Sequence, residues 1–347
     1  MKMKILPILF CVLIFSCKKK TEDTPDPAGT TVYMSGYSTV PAANVAYACY
    51  WKNGAVVPLT STTAPGSDAT AEDIVVQGSD VYVVGGEKLA TGIYVAKYWK
   101  NGVLTNLTDG TRQAYAVAIE VQGNDIHIVF QENNAAGIRV VKYWKNGVVT
   151  NITDGTSNAY PAGITVSGND VYIVGSEYAG AIRVSKYWKN GVAVNIPVSV
   201  VQNALFYDIA VSGPDVYVAG NEYSVTGSKA VIYKNGTPIW LTTLAPSANA
   251  WGGIAISGTD VYAGGNGYNA AGTSIATYWK NGNEFNLGDG LTSTQVRDLL
   301  VFNADLYVCG AITGSSGTGL ASWWKNGVRN SVNNTDQTTI ATSIFVK

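Results

Sequence analysis

Histidine and cysteine are scarce in this chain, and their scarcity excludes several kinds of site. His127 is the only histidine among 347 residues, so a metal site built from several histidines is excluded. Two of the four cysteines, Cys11 and Cys17, fall within the first 17 residues, which leaves Cys49 and Cys309 for a folded domain. Two isolated cysteines form neither a disulfide framework nor a zinc site. Because both lie in apolar strand patterns, we expect buried free thiols.

Charged residues are also few, at 14% of the chain, and their signs almost cancel to a net charge of −1. Nucleic-acid binding proteins carry clustered Lys and Arg, so we expect no nucleic-acid partner. We also expect no metal and no cofactor, and no G-x-S-x-G turn accompanies His127 to complete a serine triad. Hydrophobic residues, at 46%, suffice for a large core and argue against disorder.

The first 16 residues resemble the signal peptide of a bacterial lipoprotein. Lys2 and Lys4 form a basic region, and the apolar run over residues 5–15 is too short to span a bilayer. The run is followed by Ser16-Cys17, and a small residue before a cysteine resembles the lipobox, in which that cysteine is lipidated. We therefore expect residues 1–16 to be removed and Cys17 to carry a lipid. An ordinary signal peptide cleaved nearby is the alternative.

Residues 17–30 are polar, contain two prolines and show no periodicity, which is typical of a flexible tether. A lipid on Cys17 makes the membrane a partner of the domain that follows. Lys18, directly after the anchor, is compatible with transport beyond the inner membrane. The predicted location is therefore the cell envelope, anchored by lipid to the outer membrane, with the periplasmic and surface sides both open.

Internal repetition is the strongest pattern in the rest of the chain. Lys-Asn-Gly recurs seven times at intervals of 44 to 48 residues, beginning at Lys52, Lys100, Lys145, Lys189, Lys234, Lys280 and Lys325. A second marker, Gly-x-Asp-[Val/Ile]-[Tyr/His], keeps a constant phase with the first and begins at Gly78, Gly123, Gly168, Gly213 and Gly258. A tryptophan precedes most Lys-Asn-Gly copies, which indicates a structural role for Trp99, Trp144, Trp188 and Trp279.

One repeat shows the predicted fold of each copy. Residues 116–121, 126–130, 138–144 and 148–153 have strand patterns, which we label a to d in chain order. Asn146-Gly147 between c and d is a strong hairpin signal, because both residues of a type I′ turn need positive φ. Four short antiparallel strands per 45 residues or so are typical of a β-propeller blade, and a β-solenoid is the main rival.

The two ends of the repeat region complement each other. The first repeat lacks strand a and begins with a b-type segment over residues 31–36, whereas residues 341–346 form a spare strand a. Pairing these segments gives seven complete blades and leaves no open edge. We therefore predict an all-β, seven-bladed propeller over residues 31–347, closed by the C-terminal strand joining the N-terminal blade.

Strand a, the G-x-D turn, V-Y-V-x-G and the c–d hairpin together resemble blades of the NHL and kelch-like propellers. The Y-W-K-N-G hairpin also resembles uncharacterised extracellular repeat lipoproteins. The resemblance implies that strand a lies innermost and strand d outermost. It also implies that the a–b and c–d turns share one face and the longer b–c and d–a loops share the other. Function usually sits on such loops, so we expect any ligand site on the b–c/d–a loop face near the central channel.

Acidic residues at the end of strand b are one candidate site. Four blades carry a glutamate there: Glu87, Glu132, Glu177 and Glu222. They would form a partial acidic ring able to bind a cation or sugar hydroxyls. The alternative is that Glu132 pairs with Arg139 and Glu177 with Arg183 across the b–c hairpin.

Residues near the start of strand a are the second candidate site. Aromatic side chains gather there and would stack against a sugar or peptide, or pack between blades: Tyr115, Tyr160, Phe206, Tyr207 and Trp251. Asp73, Asp208 and Asp298 share one position in strand a. These acids would be catalytic at the channel mouth, or would bond backbone amides of the d–a loops.

The near-regular blades favour a membrane-tethered binding or scaffold module whose ligand is a glycan or an envelope protein. The alternative is a carbohydrate-active hydrolase or lyase that uses the acids at the channel mouth. A purely structural surface protein, with no defined pocket, is the third possibility.

Overall fold

The computed structural model describes residues 29–40, 45–64, 68–198, 204–224, 227–241, 247–313, 318–332 and 338–347. The predicted signal peptide, Cys17 and all but the end of the predicted tether lie outside these residues. The described residues form 29 β-strands in seven antiparallel sheets. None of them belongs to a helix long and apolar enough to cross a membrane.

Each sheet is one blade, and the blades are numbered 1 to 7 in chain order. Blades 1 to 4, each given from strand a to strand d, consist of β29 (Thr339–Val346), β1 (Val32–Val40), β2 (Val45–Lys52) and β3 (Ala55–Pro58); β4 (Ala69–Gln77), β5 (Asp80–Lys88), β6 (Tyr94–Lys100) and β7 (Val103–Asn106); β8 (Ala114–Gln122), β9 (Asp125–Asn133), β10 (Arg139–Lys145) and β11 (Val148–Asn151); β12 (Ala159–Ser167), β13 (Asp170–Ala179), β14 (Ile182–Lys189) and β15 (Val192–Asn195).

In blade 6 two short strands, β20 and β21, share the place of strand a. Blades 5 to 7 consist of β16 (Ala204–Ser212), β17 (Asp215–Ser224), β18 (Gly227–Lys234) and β19 (Thr237–Trp240); β20 (Ser247–Asn249), β21 (Ile254–Ser257), β22 (Asp260–Tyr268), β23 (Ser274–Lys280) and β24 (Asn283–Asn286); β25 (Thr294–Phe302), β26 (Asp305–Thr313), β27 (Gly319–Lys325) and β28 (Val328–Ser331).

The predicted ring closure is confirmed. Strand β29 pairs antiparallel with β1, from Val346 opposite Val32 to Thr339 opposite Ser38. The a strands of successive blades contact one another all the way round, and β29 contacts both β25 of blade 7 and β4 of blade 2. The chain is therefore a seven-bladed β-propeller with the a strands around its centre, as the repeats predicted.

Large aromatic side chains fill the space between blades. Trp51, Trp99, Trp279 and Trp324, from strands c, are at most 1% exposed. Each belongs to a core cluster shared with the preceding blade; for example, Trp99 of blade 2 lies with Tyr33 and Ala48 of blade 1. Burying such a ring contributes strongly to stability, which explains why tryptophan recurs before Lys-Asn-Gly. Cys49 and Cys309 are buried free thiols, as expected.

The Lys-Asn-Gly and Gly-x-Asp markers are two halves of one clamp. In blade 3, Asn146 has a φ of 47°, and its Oδ1 accepts a hydrogen bond from the Ile126 amide at 2.9 Å. Its Nδ2 donates to Asp125 at 2.8 Å, and Lys145 pairs with the same carboxylate at 2.8 Å. The Lys145 ammonium is the main reason that the pKa of Asp125 lies below its usual value. The clamp ties the c–d turn to the a–b turn, so both turns lie on one face.

Replacing Asn146 with Ala is expected to lower the free energy of unfolding by about 2 kcal/mol, because Ala disfavours positive φ and leaves the Ile126 amide without its partner. Urea denaturation followed by tryptophan fluorescence measures this change. Asn151→Ala is the matched control, since Asn151 is exposed at the end of β11. Equal effects of the two substitutions would show that the clamp contributes nothing.

Candidate functional site

A ring of seven residues surrounds the central channel, one from each blade. Most a strands shift register by one residue at a β-bulge, for example between Ala71 and Asp73 in β4. The residues after the bulge, with their counterpart in blade 6, recur every 45 positions, and we call them the channel ring: Asp73, Ala118, Gly163, Asp208, Gly253, Asp298 and Ser343. The three aspartates that share one position in the sequence therefore face one another.

Each of these aspartates joins its own blade to the next. One oxygen accepts a hydrogen bond from the following amide of its own strand, and the other accepts one from the neighbouring a strand. The second bonds measure 2.8 to 3.0 Å and come from the amides of Ile119, Ile254 and Ile344. Of the two roles that the sequence left open, the structure shows the backbone role. The partner amides lie in strand a rather than in the d–a loops.

Ser343 joins two carboxyl groups across the ring closure. Its Oγ lies 2.7 Å from Asp73 Oδ1 and 2.7 Å from Asp298 Oδ2. A hydroxyl donates one proton, so both contacts are hydrogen bonds only when one carboxyl group is protonated. Burial, reinforced by the charges of Asp208 and Asp73, raises the pKa of Asp298 to about 8. At neutral pH at least one carboxyl group in the channel is therefore protonated.

Two other acids strengthen this effect. Burial, reinforced by the charge of Asp73, raises the pKa of Asp208 to about 7. The same two causes raise the pKa of Glu120 to about 7. A Cβ at Gly253 would lie 2.6 Å from Asp298 Oδ1 and 3.6 Å from Asp208 Oδ2, so glycine leaves room for both carboxyl groups. Ser343 and Glu120 were not identified from the sequence, although the 45-residue spacing of strand a contains the signal for Ser343.

The four glutamates at the ends of strands b do not form a free acidic ring. Glu87 pairs with Lys97, and Glu222 accepts a hydrogen bond from the hydroxyl of Tyr233. Glu132 pairs with Lys142 at 2.5 Å and Glu177 with Lys186 at 2.8 Å. The predicted pairing of Glu132 with Arg139 and of Glu177 with Arg183 is therefore wrong. Within the described ranges no three acidic, cysteine or histidine side chains are grouped to hold a metal ion.

The two arginines turn instead toward Tyr160, which explains the error. The centres of the Arg139 and Arg183 guanidinium groups lie 4.9 and 4.3 Å from the centre of the Tyr160 ring. Arg139 Nη1 also donates to the Tyr160 hydroxyl at 2.6 Å, and Arg183 Nε donates to Ser176 Oγ at 2.6 Å. A tyrosine face attracts a guanidinium group, and this contact decides the arginine rotamers.

Three of the five predicted aromatic residues lie along one arc on the b–c/d–a loop face, whereas Phe206 is buried in the core. Tyr94 and Tyr115 have ring centres 5.0 Å apart, and the Tyr207 and Tyr223 hydroxyls are 3.3 Å apart. Arg183 lies over the Tyr160 ring, and its charge also acts on the Tyr207 hydroxyl, so Arg183 stands between Tyr160 and the Tyr207–Tyr223 pair. We call the set the tyrosine arc: Tyr94, Tyr115, Arg139, Tyr160, Arg183, Tyr207 and Tyr223. Trp251 is separate, half-buried in blade 6, where its Nε1 donates to Asn266 at 3.0 Å.

A cavity of about 250 Å³ opens at one end of the tyrosine arc, between blades 2 and 3. We call it the blade 2–3 cavity, and its lining is Tyr94, Gln113, Ala114, Tyr115, Gln131, Asn133 and Arg139. It lies on the b–c/d–a loop face, where a site was expected. Of the lining, only Tyr115 was predicted as a ligand-binding residue. Gln131 and Asn133 lie at the end of β9, which extends to Asn133, beyond the predicted strand b over residues 126–130.

A second cavity, of about 350 Å³, lies between blades 4 and 5 on the side of the c–d turns. Its walls include Tyr187, Ile196, Pro197, Val218 and Tyr233. Its described lining residues include no charged side chain, so it offers fewer directional contacts to a ligand than the blade 2–3 cavity.

The fold and the blade 2–3 cavity define a seven-bladed β-propeller with a candidate ligand site on its b–c/d–a loop face. The sequence matches no known protein family and no curated protein.

Solved structures similar to this chain include a β-propeller domain, a peptidase and a sialidase. The acylaminoacyl peptidase of Pyrococcus horikoshii is 12% identical, with a TM-score of 0.47 over 77% of this chain and 46% of that chain. A Trypanosoma rangeli sialidase in complex with the inhibitor DANA is 11% identical, with a TM-score of 0.46 over 85% and 56%. The β-propeller domain of the Trilobed protease from Pyrococcus furiosus is 12% identical, with a TM-score of 0.39 over 77% and 96%. The chain spans about half the length of the peptidase and the sialidase, and the likeness concerns the fold alone.

Proposed function

We propose that this propeller is a lipid-anchored, extracytoplasmic binding module that recognises a saccharide in the blade 2–3 cavity. The proposal rests on two tyrosine rings that lie beside two side-chain amides for which the described part of the chain provides no hydrogen-bond partner. The anchor at Cys17 and the outer-membrane location rest on the pattern of the first 18 residues.

The amides in the cavity differ in how they are used. Gln113 is structural, because its Oε1 accepts from the Tyr94 amide at 2.9 Å and its Nε2 donates to the Gly92 carbonyl at 3.2 Å. Among the described residues, the Gln131 and Asn133 side chains have no hydrogen-bond partner. A primary amide both donates and accepts, which matches a sugar hydroxyl.

The tyrosines supply the complementary apolar contact. Tyr94 and Tyr115 are half-buried and tilted by 43° to each other, and the Tyr115 hydroxyl lies 3.2 Å from Thr70 Oγ1. Fixed aromatic rings bind the apolar faces of sugar rings at low cost in conformational entropy. A volume of about 250 Å³ suits one sugar unit, alone or within a longer chain.

The alternative of a hydrolase or lyase has less support. The described residues that line the blade 2–3 cavity include no carboxylate, and glycoside hydrolysis generally requires two. The three aspartates of the channel ring already accept backbone hydrogen bonds on both oxygens. A glycan array on which nothing binds would favour an envelope protein as the ligand instead.

Tyr115→Ala and Gln131→Ala are each expected to weaken saccharide binding at least tenfold, which corresponds to about 1.4 kcal/mol. A glycan array identifies the ligand, and calorimetry on the purified full chain measures its affinity. Tyr268→Ala is the matched control, since Tyr268 lies at the end of β22 on the same face but in blade 6. Saccharide binding that survives Tyr115→Ala, or an array without any binding, would overturn the proposal.

A further inference from the structure

Arg139 stands at the wall of the blade 2–3 cavity in a fixed position. Its backbone amide donates to Asn158 Oδ1 at 2.9 Å, and its guanidinium group lies against Tyr160 and donates to the Tyr160 hydroxyl. Its side chain is exposed. A guanidinium group carries five N–H donors, so a single bond to Tyr160 leaves a fork of donors available.

The charge of Arg139 is not neutralised within the described part of the chain, where it has no carboxylate partner. The candidate partner on the adjacent strand, Glu132, is paired with Lys142 instead. Arg183 places a second positive charge against the same tyrosine ring. The opposite face is different, because six lysines there each pair with an aspartate: Lys100, Lys145, Lys189, Lys234, Lys280 and Lys325.

The acidic side chains near the cavity are engaged: Glu132 of blade 3 is paired with Lys142, and Asp68 and Glu72 on the blade 2 side accept hydrogen bonds. Asp68 accepts a hydrogen bond from the Tyr94 hydroxyl, and Glu72 accepts one from Thr70 Oγ1 at 2.7 Å. The cavity therefore has an acidic edge toward blade 2 and a basic edge toward blade 3. A ligand with one negative group would be oriented with that group toward Arg139, because opposite charges attract and like charges repel.

We propose that the ligand of this cavity is an acidic saccharide whose sugar carboxylate pairs with Arg139. The inference rests on the proposed function and assigns its ligand class. The planar carboxylate fits the guanidinium fork with two parallel hydrogen bonds. The sugar ring lies against Tyr115, and its hydroxyls bond Gln131 and Asn133. Recognition of this kind weakens as salt concentration rises, because part of it is an ion pair at an exposed site.

Calorimetry on the purified full chain with three disaccharides tests the assignment: one ending in glucuronate, its glucose-ended counterpart and a 6-sulfated glucose-ended form. The native chain is expected to bind the glucuronate form at least tenfold more tightly than either of the others. Arg139→Gln is expected to abolish this preference, so that the glucuronate and glucose-ended forms bind with equal affinity. Arg139→Lys is expected to lose part of the preference, because lysine keeps the charge but lacks the fork.

Arg112→Gln is the matched control, an exposed arginine in the loop before β8 that does not line the cavity. It is expected to leave the preference intact, and thermal unfolding shows whether each variant is folded. Equal binding of the glucose-ended and glucuronate forms, lost in Tyr115→Ala, would overturn the acidic ligand and leave the proposed function standing. Preference for the sulfated form would also overturn the carboxylate assignment. Binding of none of the three, with no response on a glycan array, would overturn the proposed function itself.

Discussion

Replacing Ile344 with Asn is expected to lower the free energy of unfolding by about 4 kcal/mol, enough to open the ring well below the unfolding temperature of the native chain. Ile344 is 3% exposed in the closing strand β29, within the core cluster that contains Cys49 and Trp51. The substitution removes buried aliphatic contacts and buries an amide without a partner. Closure itself depends on non-covalent pairing between β29 and β1.

Ile340→Asn is the matched control for this prediction. Ile340 lies in the same strand but is half-buried, so its replacement should cost much less. Urea unfolding followed by tryptophan fluorescence measures both variants, and removal of residues 339–347 should have at least the effect of Ile344→Asn. Similar unfolding midpoints for Ile344→Asn and Ile340→Asn would contradict a closure held by the core contacts of β29.

We expect the free energy of unfolding of the native chain to fall as pH rises from 6.5 to 9, because the protonated acids of the channel then ionise. Asp298, with a pKa of about 8, and Asp208 and Glu120, each with a pKa of about 7, ionise more readily when the chain is unfolded. Groups with raised pKa values stabilise the folded state at low pH, and this contribution is lost as pH rises through the folded pKa. For Asp298 alone we expect a loss of about 1–2 kcal/mol, after discounting its partial exposure.

The pH window avoids two opposing effects. Burial lowers the pKa of His127 below 6.5, so its contribution to stability is lost only as pH falls toward and below that value. The exposed aspartates of the clamps, such as Asp305, have lowered pKa values, and their contribution is lost only in stronger acid. Between pH 6.5 and 8 the channel acids therefore dominate the change. Above pH 8 the buried thiols of Cys49 and Cys309, whose pKa values are raised by burial, add to the decline.

Asp298→Ala tests this origin of the pH dependence. The variant loses the bond to the Ile344 amide, so it should be less stable than the native chain at pH 6.5 by about 1–3 kcal/mol. The difference should shrink toward pH 9, because alanine has no charge to bury. Asp305→Ala, in the same blade, should retain the native decline. A decline in Asp298→Ala as steep as that of the native chain would contradict the role of this carboxyl group.

The sequence was sufficient for the blades because each repeat encodes its own sheet. Asn146-Gly147 specifies a turn by local backbone preference. The first repeat, which begins at residues 31–36, lacks strand a, and residues 341–346 supply a spare one, so the order of the segments alone predicts closure. The pairing of Glu132 was not predictable in the same way. Lys142 and Arg139 both lie on the strand opposite, and the attraction of Arg139 to Tyr160 of the next blade decides between them.

The site depends on contacts between blades, which the repeat does not specify. Tyr94 of blade 2 and Gln131 of blade 3 become neighbours only when two sheets pack at a particular angle, so neither was predicted as a site residue. The proton stored beside Ser343 likewise requires Asp73 and Asp298 to meet across the closure. Because strand a recurs every 45 residues, Asp73, Asp298 and Ser343 occupy equivalent positions in their blades. The protonation of the two carboxyl groups depends instead on their burial and on the repulsion between their charges.

Closure by the last strand also constrains how the protein is made. Val32 pairs with Val346, so the ring forms only after the residues between them have left the ribosome. Until then β1 has an unpaired inner edge, which is open to pairing with other chains. Contacts this distant in sequence form slowly, because a long loop must close first. Formation of this propeller therefore ends with a single docking step, and the open form needs protection until that step occurs.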